Sequence, residues 1–162
     1  MSYTTHYDSP LGGITLASDG KALTGLWFDG QKYFGSILGC EASPAEFPVF
    51  DDTRRWMDVY FSGRQPDFMP PLALHGTAFQ QRVWDSLRAI PYGGTATYGE
   101  LARRLGVGSA QAVGGAVGHN PIALVVPCHR VVGSGGALTG YAAGLDRKQA
   151  LLQLEQKNYF AS

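Results

Sequence analysis

One cysteine, Cys128, stands between a proline and a histidine, after the apolar run IALVV and directly before the glycine-rich stretch GSGGALTGYAAG. A thiol attacks as the thiolate, and a neighbouring imidazole such as His129 can draw its proton directly or through a water. A carboxylate that orients the imidazole would complete the relay, and Glu155 and Asp146 are the candidates downstream. The competing account is an inert core cysteine, because free cysteines are among the most buried residues and IALVV reads as an interior strand. Pro127 weighs against it. Lacking an N–H, it ends a strand ladder and puts Cys128 and His129 where the chain leaves the sheet and turns, so that both can line one pocket. A Cys-His pair of this kind also suits a hydrolase, which would turn over and release product.

Other chemistries fit less well. The loop GSGGALTGYAAG lacks the Gly-Lys-Ser/Thr ending of a phosphate loop. Cys40, Cys128 and the four histidines show no paired ligand spacing, so no metal is expected and His6 and His75 read as surface residues. Two cysteines could form one disulfide, but a reducing, cytoplasmic compartment and a free Cys128 thiol are the expectation. No stretch approaches the roughly 20 apolar residues that cross a bilayer, and MSYTTHYDSP has no basic segment followed by an apolar one. No membrane partner is expected.

The elements that must hold such a site can be read in outline. The 162 residues, 44% of them apolar, suffice for one domain or two small lobes. GGITLASDGKALTGLWF alternates around Asp19-Gly20 as a β-hairpin with room for a further strand. TRRWMDVYFSG has Trp56, Val59 and Tyr60 at helical spacing behind a Thr53 cap, and Pro66, Pro70 and Pro71 follow. In TAFQQRVWDSLRAI, Phe79, Val83, Leu87 and Ile90 mark a core-facing helix that PYGG ends. Thr97 to Glu100 fits a capping box that opens a short helix through Leu105; Gly106 to Gly108 turns the chain, and Ser109 caps SAQAVGGAVG. Helix, glycine turn, helix is the helix-turn-helix outline. LDRKQALLQLEQKN reads as a closing helix. The expected fold is α+β, with an N-terminal α/β lobe bearing a small β-sheet over residues 1–70, a linker at 71–76 and a mostly helical lobe over 77–162.

Charge is zero overall but divided. Residues 1–75 carry five bases against nine acids, a net of −4, and residues 76–162 carry eight against four, a net of +4. The second half could therefore meet a phosphate backbone. In its second helix, Ala110, Ala112, Gly114, Gly115 and Ala116 are all small. They suit either tight packing against a neighbouring element or a helix lying in a DNA groove.

The segments GTAFQQRVWDSLRAIPYG, TYGELA, AVGGAVGHNPIALVVPCHRVVG and LTGYAAGLDRKQALLQLE together resemble the O6-alkylguanine-DNA alkyltransferases, the methylated-DNA-protein-cysteine methyltransferases. The likeness covers about half the chain with highly specific motifs, and the N-terminal lobe fits the family in layout only. It implies direct, irreversible, single-turnover repair, in which an alkyl group passes to Cys128 from O6 of a guanine flipped out of duplex DNA, or from O4-alkylthymine, without a cofactor. By the same resemblance His129, through a water, deprotonates Cys128 and Glu155 holds the imidazole. Asn120 orders the turn before the active site, and Tyr98 contacts the flipped base and crowds its phosphate. Ala110, Gln111, Ala112, Gly115 and Arg130, with Tyr98, fall at DNA-contacting positions. Val131, Tyr141, Ala142, Ala143 and Gly144 fall in the base pocket. The implied partner is double-stranded DNA containing O6-alkylguanine, bound by a protein that is monomeric in solution and could associate cooperatively on DNA. Two positions depart from the family: Ala142 replaces a serine, and Gln111 replaces the arginine that fills the gap left by the flipped base. Relatives that bind alkylated DNA without repairing it lack the cysteine that is present here.

Overall fold

A computed structural model describes residues 2–31 and 43–161; Cys40, and with it any disulfide to Cys128, lies outside them. The N-terminal lobe is a four-stranded sheet in the order β3-β2-β1-β4, formed by β1 (Tyr3–Ser9), β2 (Gly12–Ser18), β3 (Leu23–Phe28) and the short β4 (Ser43–Pro44). The β2–β3 turn is made as its sequence suggests. Asp19 Oδ1 accepts from the N–H groups of Lys21 and Ala22, both at 2.9 Å, and Gly20 takes a positive φ. The strand anticipated beside the hairpin is β1, antiparallel to β2 throughout its length.

The helix α1 (Pro48–Phe61) starts five residues before the expected Thr53 cap. Proline suits the first helical position, where no N–H is needed, so the helix opens at Pro48 after Phe47. Thr53 is buried inside it and returns its hydroxyl to the Val49 carbonyl at 2.7 Å. Phe50, Met57 and Tyr60, fully buried, face the core. The proline-rich segment that follows lies along β3: Leu23 N donates to Pro71 O, and Ala73 N donates to Leu23 O.

The second lobe begins with α2 (Ala78–Arg88), capped reciprocally by Thr77 and Gln80. Strand β5 (Ala96–Thr97) leads into α3 (Tyr98–Leu105), where Thr97 Oγ1 accepts from Glu100 N at 3.0 Å. The other half of the expected box differs, since the Glu100 carboxylate accepts from the Thr97 hydroxyl. Gly106, at φ 70°, ends α3 in the left-handed conformation that favours glycine, and Ser109 caps α4 (Ala110–Gly118). The helix-turn-helix is thus present, and α5 (Leu145–Ala161) closes the chain. The architecture is mixed α+β, with one apolar cluster running through both lobes.

IALVV is not a strand. Residues 122–126 form a buried coil joined to the sheet by a single bridge between Ile122 and Leu26. Asn120 explains it: Oδ1 accepts from Ile122 N at 3.0 Å and Nδ2 donates to Val126 O at 2.7 Å, curling the run around one side chain. Leu124 accordingly has a positive φ of 69°. Among the described residues no helix is long and apolar enough to cross a membrane.

Candidate active site

Beyond the coil, Cys128–Arg130 form one turn of 3-10 helix, and β6 (Val131–Val132) pairs in parallel with β5. The chain does turn after Pro127, placing Cys128 and His129 on one bend, but only Cys128 lines the cavity while His129 is wholly buried behind it. The Cys128 thiol sits at a cavity of about 380 Å³. Its other walls are Tyr98 from α3, Gly114, Gly115, Val117 and Gly118 from α4, Asn120 and Ala123, and the loop Gly140–Ala143. The volume falls in the usual range for a small-molecule site.

Cys128 is 7% exposed. Burial pushes its thiol above the ordinary cysteine value, while hydrogen bonding from Asn120 and the nearby Lys148 charge pull the other way. The resting group is the thiol, and a base is needed to release the thiolate. His129 is wholly buried. Its Nε2 donates to Glu155 Oε2 at 2.5 Å, which fixes the tautomer and leaves Nδ1 as the proton acceptor, without a hydrogen-bond partner among the described residues. Burial also holds the imidazole below the ordinary histidine value, against the pull of Glu155, so it rests neutral.

Of the two carboxylates the sequence left open, Glu155 occupies the relay and Asp146 is exposed on the first turn of α5. Glu155 is fully buried and heavily solvated by protein. Oε2 also accepts from the Tyr60 hydroxyl at 2.6 Å, and Oε1 accepts from Arg130 Nε at 2.7 Å and Gly93 N at 3.3 Å. Burial alone would raise its pKa, but His129 and Arg130 outweigh it and bring the carboxyl down to about 2.

Arg130 requires a correction. Expected to contact DNA, it instead bonds Glu155, donates Nη1 to Ile90 O at 2.8 Å and lies over the Tyr92 ring. A buried carboxylate needs a counter-charge, and Arg130 supplies it. Of the backbones expected to meet a base, those of Val131 and Gly144 keep only their carbonyls to offer. The Val131 N–H is spent on Cys128 O and the Gly144 N–H on Tyr141 O, so neither donates to a ligand, and neither residue lines the cavity. Ala142 and Ala143 do line the cavity, and their N–H groups have no acceptor among the described residues. Tyr141 covers one side, its hydroxyl buried near Cys128 without a well-formed partner.

The helix α4 divides cleanly. Val113, Ala116 and Val117 are buried, with Trp84 Nε1 donating to Ala116 O at 2.9 Å, while Ala110, Gln111, Ala112 and Gly115 are exposed. A Cβ built at Gly115 or Gly118 meets nothing within 4 Å, and at Gly114 only the Tyr98 ring at 3.7 Å. Tight packing inside the protein therefore does not explain these glycines, which line the cavity without side chains.

Three contributors were not read from the sequence. Gln31 lines the pocket from the N-terminal lobe, its Oε1 held by Phe28 N at 2.9 Å. Tyr60 reaches Glu155 across 95 residues of sequence. Lys148 is fully buried, donates to Thr139 O at 2.6 Å and Gly140 O at 3.3 Å, and is brought by burial to about 8 despite the nearby Cys128. Its position four residues after the glycine-rich loop is the only sequence signal. Among the described residues no group of three or more His, Cys, Asp or Glu side chains is placed to hold a metal.

Two family models match: 6-O-methylguanine DNA methyltransferase, ribonuclease-like domain, over residues 2–74, and its DNA binding domain over residues 78–157. The methylated-DNA--protein-cysteine methyltransferase of Mycobacterium tuberculosis is 49% identical over 155 residues, covering 93% of this chain and 92% of that protein. Its Haemophilus influenzae counterpart is 44% identical over 159 residues, 97% of this chain and 88% of that one. The crystal structure of Mycobacterium tuberculosis OGT in complex with DNA superposes with a TM-score of 0.86 at 46% identity, covering 97% of this chain and 93% of that one.

Proposed function

The chain belongs to the 6-O-methylguanine DNA methyltransferase family, and from that premise we propose that it repairs O6-alkylguanine in duplex DNA by taking the alkyl group onto Cys128. The observation that carries this is the buried Cys128 thiol on the wall of a cavity that the glycines of α4 also line, followed in the chain by His129 bonded to the buried Glu155.

DNA meets the exposed residues Ala110, Gln111, Ala112 and Gly115 of α4, with Arg103 and Arg104 of α3 exposed alongside to attract the backbone. The damaged guanine leaves the stack and enters the cavity, with Tyr98 and Tyr141 among its walls. His129 Nδ1 takes the thiol proton, through a water, and Glu155 stabilises the imidazolium that forms. Cys128 Sγ attacks the alkyl carbon: the S–C bond forms, the C–O6 bond breaks, and its electron pair passes into the guanine ring system. The Ala142 and Ala143 N–H groups supply donors to that developing negative charge, in place of the hydroxyl that the alanine lacks. Proton return from the imidazolium to guanine restores neutrality. The thioether is stable, so each molecule acts once.

The test is incubation with duplex DNA carrying one radiolabelled O6-methylguanine. Label should move to the protein at one equivalent. Label that stays on tightly bound DNA would identify a binding module, and label released into solution a hydrolase.

A further inference from the structure

We propose that Tyr60 is a positioning residue of the alkyl-transfer relay, through which the N-terminal lobe sets how readily His129 accepts the Cys128 proton. The inference rests on the transfer reaction proposed above. The phenol donates to Glu155 Oε2 at 2.6 Å, the same oxygen that takes the His129 N–H, and its oxygen lies 3.4 Å from His129 Nε2. Two donors on one carboxylate oxygen compete for its charge. The stronger the Tyr60 bond, the less charge Glu155 offers the imidazole, and the more weakly His129 holds a second proton.

The phenol is held for this task. Its ring stacks on Trp56 at 5.3 Å and 7°, and meets the edges of Phe61, Tyr92 and His129 at 5.3, 6.4 and 6.4 Å. Burial and the Glu155 charge keep the hydroxyl protonated far above neutral pH, so it remains a donor wherever the protein works. The other groups acting on His129 are Arg130 in its own turn and Lys148 on α5, beside the Cys128 thiol, and Tyr60 is the one that reaches it from α1. Arg130 and Lys148 are cations that disfavour the imidazolium; Tyr60 reaches the same result without charge, by occupying its counter-ion.

The sign follows. Transfer needs neutral His129, so the rate falls as pH drops through its pKa. Tyr60→Phe removes a donor from Glu155, which then binds the imidazolium more tightly, and the acid limb moves to higher pH. A shift of about one pH unit corresponds to a roughly tenfold loss of rate at a fixed pH on the limb. A ring-fluorinated tyrosine at position 60 is a stronger donor in an almost unchanged shape, and should move the limb the other way.

The experiment measures single-turnover alkylation of Cys128 by free O6-benzylguanine from pH 5 to pH 9, read by mass spectrometry, for the wild type and both variants; the free base removes DNA binding from the profile. Opposite displacements of the acid limb support the inference. Limbs that coincide with the wild type overturn it, even where the variants are slower or less stable, and the fluorinated variant decides alone if Tyr60→Phe does not fold. A wild type that transfers nothing to Cys128 overturns the reaction itself and this inference with it, whereas transfer with unmoved limbs overturns this inference only.

Discussion

Replacing Glu155 by glutamine changes almost no volume and removes one buried charge, so its consequences can be worked from the contacts. The carboxyl is held at about 2 against an ordinary 4.5. A difference of that size is worth about 3 kcal/mol of folding stability at neutral pH. Because the folded value is the depressed one, this stability is complete above about pH 4.5 and is lost as pH falls toward 2. A second route gives a similar figure: removing one partner of a buried ion pair, here the one facing Arg130, costs about 3–5 kcal/mol. Glutamine must also turn an NH₂ toward one of the donors Arg130, Gly93, Tyr60 and His129 that now converge on oxygen. Urea unfolding of Glu155→Gln at pH 7 should therefore show a deficit of about 3 kcal/mol, or about 6–12 °C in melting temperature for a domain of this size. The deficit should close as pH falls from about 4.5 to about 2, since the wild type then carries a protonated Glu155. Single-turnover alkylation at pH 7 should drop by about 10²- to 10⁴-fold, the range of a disabled general base. A deficit equal at pH 3 and pH 7, or none at either, would refute the account of Glu155 as an anion held by its donors.

Three further outcomes concern the DNA face. Gln111→Arg should raise the rate on duplex DNA while leaving the rate on free O6-benzylguanine unchanged, because an arginine fills the gap left by the flipped base and is drawn to the groove; equal acceleration of both would place Gln111 elsewhere. Gly115→Leu should leave the melting temperature nearly unchanged, since its Cβ meets nothing, yet weaken duplex binding at least tenfold in a gel-shift titration; unchanged binding would remove α4 from the interface. Arg103→Glu with Arg104→Glu should weaken binding to all duplex sequences alike and flatten its salt dependence by about two phosphate contacts; a loss confined to one sequence would mean that these residues read bases.

How much of this was legible depends on how local each cause was. The β2–β3 turn, the Thr97 and Ser109 caps and the Gly106 stop are decided by side chains within three residues, and sequence alone places them. Thr53 misled because its hydroxyl can serve either as a cap or as a partner for the carbonyl one turn back, and Pro48 had already started the helix. IALVV misled because apolarity reports burial and not conformation; the shape came from the amide of Asn120, which bonds both ends of the run. Cys128 and His129 are legible from residue type and from Pro127, whereas the choice of Glu155 over Asp146 comes from motif resemblance, which spacing alone does not supply. Tyr60 and Gln31 have no local signature and Lys148 only its place after the glycine-rich loop, because their roles exist only once α1, the segment after β3 and α5 converge on the site. Arg130 is placed at a DNA-contacting position by resemblance alone, which carries no sign of the buried carboxylate that turns it inward.

A protein consumed by its own reaction has a particular need: a thiol that waits unreactive and attacks only the right carbon. The same burial answers both halves of it. Being 7% exposed keeps Cys128 from adventitious alkylators and raises its pKa, so the resting group is the poorly nucleophilic thiol. The base beside it is also neutral and sequestered, with its proton fixed on the Glu155 side. Separating charge between Cys128 and His129 in such surroundings is costly until something disperses the negative charge, and in the proposed mechanism the Ala142 and Ala143 amides do so through a base that occupies the cavity. Gly114, Gly115 and Gly118 of α4 line that cavity without side chains, which leaves room for a base to approach Cys128. Restraint and reactivity are thus one property of this pocket. A substitution that opened the thiol to solvent would raise its reactivity toward small alkylating agents and lower the fraction of molecules still able to repair DNA.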